Sequence, residues 1–182
     1  SGHKLGAPKG AAFLYKKAGT QLGRLLEGGG QELGLRAGTE NTAYCAGLAL
    51  AVEKALASAA GHAARLAELH ALFCDAVRGI PGLAFNGDQA LTSKAVVNFS
   101  LEGTESDVMQ IRLGDAGLCV SGGAACSSGA RRPSRILSAM GLGPARSASA
   151  LRVSFGYGTT EAELTRAAEL IANTAAQVRA GG

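Results

Sequence analysis

The chain has 182 residues, a formal net charge of +4 and an isoelectric point near 9.0, and it is 47% hydrophobic with 4% aromatic residues and no Trp. That length suits one domain, or one domain with part of another, with a core built mostly from Ala, Leu and Val. The basic residues are scattered rather than striped between aromatics, which speaks against nucleic acid, and no uncharged run reaches the length of a bilayer span, which speaks against a membrane partner.

Residues 1 to 10, SGHKLGAPKG, read as loop. There is no Met, no leading element and no visible signal peptide, and an N-terminal part is expected to have been lost or left out. Ala11 to Tyr15 is a short apolar run expected to form a strand, and residues 16 to 38, with GGG at 28 to 30, carry turns. From about Asn41 to Val77 the Ala- and Leu-rich sequence predicts one long helix or two, bent near Gly61, with Asn41 to Val52 buried and Leu66, Leu69 and Phe73 on one face. Pro81-Gly82 marks a turn. Val96, Asn98 and Ser100 alternate with Val97, Phe99 and Leu101, as in a strand.

Thr104 with Asp107 resembles a capping box opening a helix through about Leu113. Leu118 to Val120 is expected to be a strand entering the Gly/Ser stretch 121 to 129, and Pro133 to start a helix that stops at Gly141. Leu151 to Phe155 is a further strand. Thr160 and Glu163 form a second capping box, and Leu164, Ala168, Ile171, Ala175 and Val178 line one face of a last helix. The order is loop, long helix, strand, strand, helix, strand, helix, strand, helix, which suggests an α/β segment running into a small α+β domain.

Four groups of residues could carry chemistry. In Ser1-Gly2-His3-Lys4, a lysine among His, Ser and Gly could bond an aldehyde while its neighbours hold a phosphate; alternatively it is a solvated surface amine. In Gly122 to Gly129, small residues surround Cys126, with Arg131 and Arg132 close enough in sequence to favour a thiolate; alternatively Cys126 is a buried small hydrophobe. Arg152 interrupts an apolar strand and suits a substrate carboxylate, or else faces solvent at a sheet edge. Thr39 precedes the long helix, where a hydroxyl and free amides make an anion site or a simple N-cap.

Of the other cysteines, Cys45 and Cys119 are expected to be buried. Cys74 lies four residues after His70 with no third ligand at helical spacing, so no metal site is expected. His62 reads as a helix-surface residue. The absence of CxxC pairs argues against a disulfide framework, and reduced thiols suit a cytoplasmic location.

Taken in order, SGHK, GAPKG and FLY, then GGGQE-LG-RAGTEN, then SGGAACSSG with RRPS-ILSAMGL, then LRVSFGYGTT with EAEL resemble the NifS/IscS-type cysteine desulfurases over nearly the whole chain. The ACSSG loop resembles the branch with the longer catalytic loop. The resemblance implies a fold-type I, aspartate aminotransferase-like enzyme. Residues 1–55 would then be the C-terminal part of the pyridoxal 5'-phosphate-binding large domain, and 56–182 a small α+β domain carrying the catalytic-cysteine loop. It implies a homodimer that converts L-cysteine to L-alanine and passes sulfur, held as a persulfide on Cys126, to an acceptor or scaffold protein for iron–sulfur cluster, thio-cofactor or tRNA synthesis. Lys4 matches the lysine bonded to the cofactor. His3 and Ser1 match residues near its phosphate. Thr39 matches a phosphate contact supplied across the dimer, and Arg152 the carboxylate-binding arginine. The family's ring-stacking His and the Asp facing the pyridine nitrogen have no counterpart in this sequence. Alternatives of the same fold are a class V aminotransferase or a selenocysteine lyase. A catalytically incomplete dimerisation or acceptor-binding module is the non-enzymatic alternative.

Overall fold

A computed structural model of the chain describes residues 1–122, 134–156 and 158–181. It forms two compact units, Ser1–Ala60 and Gly61–Gly182.

In the first unit an N-terminal 3-10 turn, Gly2–Leu5, stands where loop is expected. It returns against the first turns of helix α1, Thr42–Arg78, through small residues. The Gly2 amide donates to the Ala11 carbonyl at 2.8 Å, and a Cβ on Gly2 would lie 3.0 Å from Leu48 Cδ1. Pro8 packs at Gly47, where a Cβ would lie 3.1 Å from its ring. The expected strand at Ala11–Tyr15 does not form. A strand needs a neighbour for its ladder, and Phe13, Leu14 and Tyr15 are 65, 74 and 81% exposed. A second 3-10 turn, Glu32–Gly34, lies within the Gly-rich stretch.

Helix α1 is one helix of 37 residues, uninterrupted at Gly61. The Asn41 side chain accepts from the Tyr44 amide at 3.1 Å and caps it. The Asn41 to Val52 stretch is not buried as expected: only Leu48 is, and Cys45 is exposed. By length and composition alone α1 is long and apolar enough to cross a membrane, a property the count of uncharged runs missed.

The second unit is a three-stranded antiparallel sheet in the order β1 (Leu83–Phe85), β2 (Val96–Leu101), β3 (Ala150–Ser154). The alternation in β2 is the one the sequence predicts. Val97, Phe99 and Leu101 are fully buried, and Asn98 lies on the other face. The buried face packs against the second half of α1 and against helices α2 (Ser106–Asp115) and α5 (Glu161–Ala180). Phe73 meets Phe155 edge-on at 5.6 Å and Phe99 at 6.4 Å. Leu164, Ala168, Ile171 and Ala175 of α5 are buried in the same core.

Helix α5 starts on the expected capping box, with the Thr160 amide donating to Glu163 Oε2 at 2.8 Å and the Glu163 amide to Thr160 Oγ1 at 3.3 Å. Helix α2 does not start on Thr104 and Asp107. Its N-cap position is Glu105, and the Thr104 hydroxyl instead donates to the Leu101 carbonyl at 2.8 Å. A nearby carbonyl competes for a threonine hydroxyl before the helix can use it.

Two short helices, α3 (Arg135–Ala139) and α4 (Pro144–Ala148), precede β3. Ser134 caps α3, and the expected helix-initiating Pro133 lies outside the described residues. Leu118 to Val120 forms no strand. Leu118 and Val120 lean on the core while Cys119, between them, is exposed rather than buried. Extended backbone turns alternate side chains to opposite sides.

Candidate active site

Lys4, His3 and Ser1 share one 3-10 turn whose position is set by Gly2. A Cβ on Gly2 would lie 2.8 Å from the Ala11 carbonyl oxygen and 2.9 Å from Ala7 Cβ, so the residue must be glycine. Gly6 ends the turn at φ 82°, and all three polar side chains are exposed. Among the described residues the Lys4 amine takes part in no hydrogen bond or ion pair, which leaves it free for a carbonyl carbon.

Thr39 lies elsewhere in the first unit. It does not cap α1, since Asn41 does. It lines a cavity of about 380 Å³ with Arg36, Glu40, Asn41 and Tyr44, and Lys4 is not part of that lining.

In the second unit Arg152 occupies the middle of β3, half-buried. Its backbone bonds on the outer edge to Ser121, Arg152 N to Ser121 O at 2.6 Å and Ser121 N to Arg152 O at 3.1 Å. Among the described residues its Nε is buried and has no hydrogen-bond partner. A guanidinium nitrogen donates only, so this is a buried donor that awaits an acceptor. Gly122 follows, and a Cβ there would lie 2.9 Å from Ser106 Oγ and 3.0 Å from Ser106 Cβ. The segment that contains Cys126 thus begins tied to the carboxylate-binding candidate and to the first turn of α2; Cys126, Arg131 and Arg132 lie outside the described residues.

His70 and Cys74, one turn apart on α1, are both buried, with Cys74 Sγ 3.7 Å from His70 Nδ1. Burial pushes the imidazole below its ordinary value, helped by the Lys94 cation, and pushes the thiol up, so the pair is neutral. Among the described residues no three His, Cys, Asp or Glu side chains cluster as metal ligands.

The family described as "Aminotransferase class-V" matches residues 1–167. The chain belongs to this class-V aminotransferase family. Among its relatives, the cysteine desulfurase of Rhodobacter capsulatus is 34% identical over 179 residues, 98% of this chain and 47% of the relative. The cysteine desulfurase NifS of Azotobacter vinelandii is 35% identical over 179 residues, 98% of this chain and 44% of the relative. A solved structure named as a NifS-like protein superposes with a TM-score of 0.86 at 25% identity, over 97% of this chain and 45% of its own. The fold is therefore that of the NifS-like class-V proteins, and the chain spans about half the length of the curated relatives it matches.

Sequence reasoning missed a polar layer beside Arg152. Asn86, Asn98, Ser100 and Arg146 are joined by hydrogen bonds on the face of the sheet opposite the core. The signal was present in the Asn98 and Ser100 spacing, which marks one strand face but names no partner for it.

Proposed function

We propose that the protein carrying this sequence is a pyridoxal 5'-phosphate-dependent cysteine desulfurase. The observation that carries the reading is the buried Arg152 Nε, unpartnered among the described residues, on the strand position that anchors the root of the Cys126 segment. The donor set of the first unit fits the cofactor in kind. A free amine stands on the same tight turn as a hydroxyl and an imidazole, and the close packing at Gly2 holds that turn in place.

Lys4 would hold the cofactor through its aldehyde, His3 and Ser1 would lie near its phosphate, and Thr39 would reach the phosphate in a second copy. The bound group would supply an electron sink, which makes the substrate Cα proton acidic and weakens the bond between Cβ and sulfur. Arg152 would bind the L-cysteine carboxylate through paired hydrogen bonds. The Lys4 amine, once released, would carry the Cα proton. The Cys126 thiolate would attack the substrate sulfur: an S–S bond forms, the Cβ–S bond breaks with its electron pair drawn towards the sink, and protons returned to carbon give L-alanine. The persulfide on Cys126 is a reversible thiol state suited to passing sulfur on to an acceptor protein.

A homodimer and a cytoplasmic location belong to the same proposal. The exposed Phe13, Leu14, Tyr15 and Leu25 of the first unit support a covering partner. The free thiols of Cys45, Cys74 and Cys119 support a reducing setting. The test is product balance: the full-length protein, given L-cysteine and a thiol reductant, should form alanine and sulfide in equal amounts. Keto-acid formation without sulfide would make it an aminotransferase instead.

A further inference from the structure

The polar layer on the outer face of the sheet has a fixed direction. Arg146 Nε donates to Asn86 Oδ1 at 2.9 Å, and Arg146 Nη2 donates to the Phe85 carbonyl at 2.7 Å. A guanidinium cannot accept, so Asn86 must turn its oxygen to Arg146 and its nitrogen away. Asn86 Nδ2 then donates to Asn98 Oδ1 and Ser100 Oγ, both at 2.8 Å, and the Ser100 hydroxyl donates to the Arg146 carbonyl at 2.7 Å. The orientation of the Asn98 amide is thus dictated from Arg146, two hydrogen bonds away.

Strand β2 lies between β1 and β3, so Asn98 has Asn86 on one side and Arg152 on the other. Asn98 is paired with Arg152 in register. The ladder bonds run through Phe155 N to Ala95 O and Leu101 N to Ser149 O, while the Arg152 backbone faces Ser121. Asn98 and Arg152 are therefore a non-hydrogen-bonded pair, the kind in which opposed side chains come closest. An Asn98 oxygen turned towards Arg152 would be a ready acceptor for its Nε. That oxygen is held by Asn86, and Arg152 Nε is left buried without a partner among the described residues.

We infer that Arg146 and Asn86 are positioning residues: they orient the Asn98 amide so that Arg152, with Asn98 Nδ2 on its side, stays an open donor set for the substrate carboxylate instead of being satisfied inside the sheet. The inference rests on the reading of Arg152 as the carboxylate-binding residue, and it adds a reason why the sheet does not quench that residue itself. It also assigns Asn98 a part in carboxylate selection, since an amide N–H beside a guanidinium disfavours cations and donates to an anion.

Asn86→Asp tests it most cleanly. The change conserves size, keeps the bond from Arg146, and removes the donor that holds the Asn98 oxygen, so the Asn98 amide should turn over and close on Arg152. In the full-length protein, Asn86→Asp and Arg146→Leu should each raise KM for L-cysteine roughly three- to tenfold, the worth of about one net hydrogen bond, with kcat little changed. Arg146→Lys, which can still donate to Asn86, should restore KM. Ser100→Ala, which leaves the direction of the relay intact, should lower the melting temperature without moving KM. A crystal structure of Asn86→Asp should place the Asn98 amide within hydrogen-bond distance of Arg152 Nε. If the unaltered protein has no desulfurase activity but that contact forms, the relay stands and the functional reading falls. If the contact does not form, or if KM stays unchanged while kcat and stability fall together, the relay is overturned.

Discussion

At Gly2 a single added methyl would meet the Ala11 carbonyl oxygen at 2.8 Å, and neither that backbone nor the adjacent Ala7 can retreat along a flexible side chain. Gly2→Ala is expected to destabilise the protein by about 1–3 kcal/mol. It should also weaken cofactor retention more than a surface change such as Lys9→Ala, as read by thermal melting and by cofactor absorbance in the full-length protein. Arg152→Gln should leave cofactor absorbance intact but raise KM for L-cysteine by tenfold or more, because a charge-assisted hydrogen bond contributes about 1.5–3 kcal/mol. His70 titrates below its ordinary value in the folded chain, chiefly because it is buried. The unfolded chain therefore takes up a proton first as pH falls, so the stability tied to His70 is fully present above about pH 6.5 and is lost below it. Urea unfolding from pH 7.5 to 5 should show this loss, and His70→Leu should flatten the curve.

Among the elements, α5 rests on a capping box at its start and a buried stripe along its length, and Thr160→Ala should cost about 1 kcal/mol in denaturant unfolding. Backbone and hydroxyl donors from Thr160 hold the Glu163 carboxyl below its usual range, so that cap is retained above about pH 4.5 and lost as the carboxyl protonates below it. Helix α5 was legible because both of its determinants are local: a cap that spans four residues and apolar residues at helical spacing. Strand β2 was legible for the same reason, with alternation over six residues. Ala11–Tyr15 was misread because an apolar run states that a segment wants a neighbour, not that one exists. Cys45 was misread likewise: its Ala- and Leu-rich surroundings form a helix, but the face they present is exposed. The Arg146–Asn86–Asn98 relay joins residues up to 60 positions apart, and no local pattern encodes it.

Across the whole molecule, the two units each hold part of the proposed chemistry, the lysine turn in Ser1–Ala60 and the arginine strand in Gly61–Gly182. The exposure of Cys45 and Cys119 alters how the thiols can be told apart. Burial shields Cys74 and raises its thiol pKa, but alkylation by iodoacetamide should label Cys45 and Cys119 readily, so reactivity towards an alkylating agent does not identify the sulfur acceptor. Turnover does. The most direct measurement is peptide mass spectrometry of the full-length protein after one turnover with L-cysteine and no reductant. The account predicts an added mass of one sulfur atom on the peptide containing Cys126, absent in Cys126→Ser although that variant still responds spectrally to L-cysteine. Sulfur found on Cys45, Cys74 or Cys119, or alanine formed at the normal rate by Cys126→Ser, would contradict it.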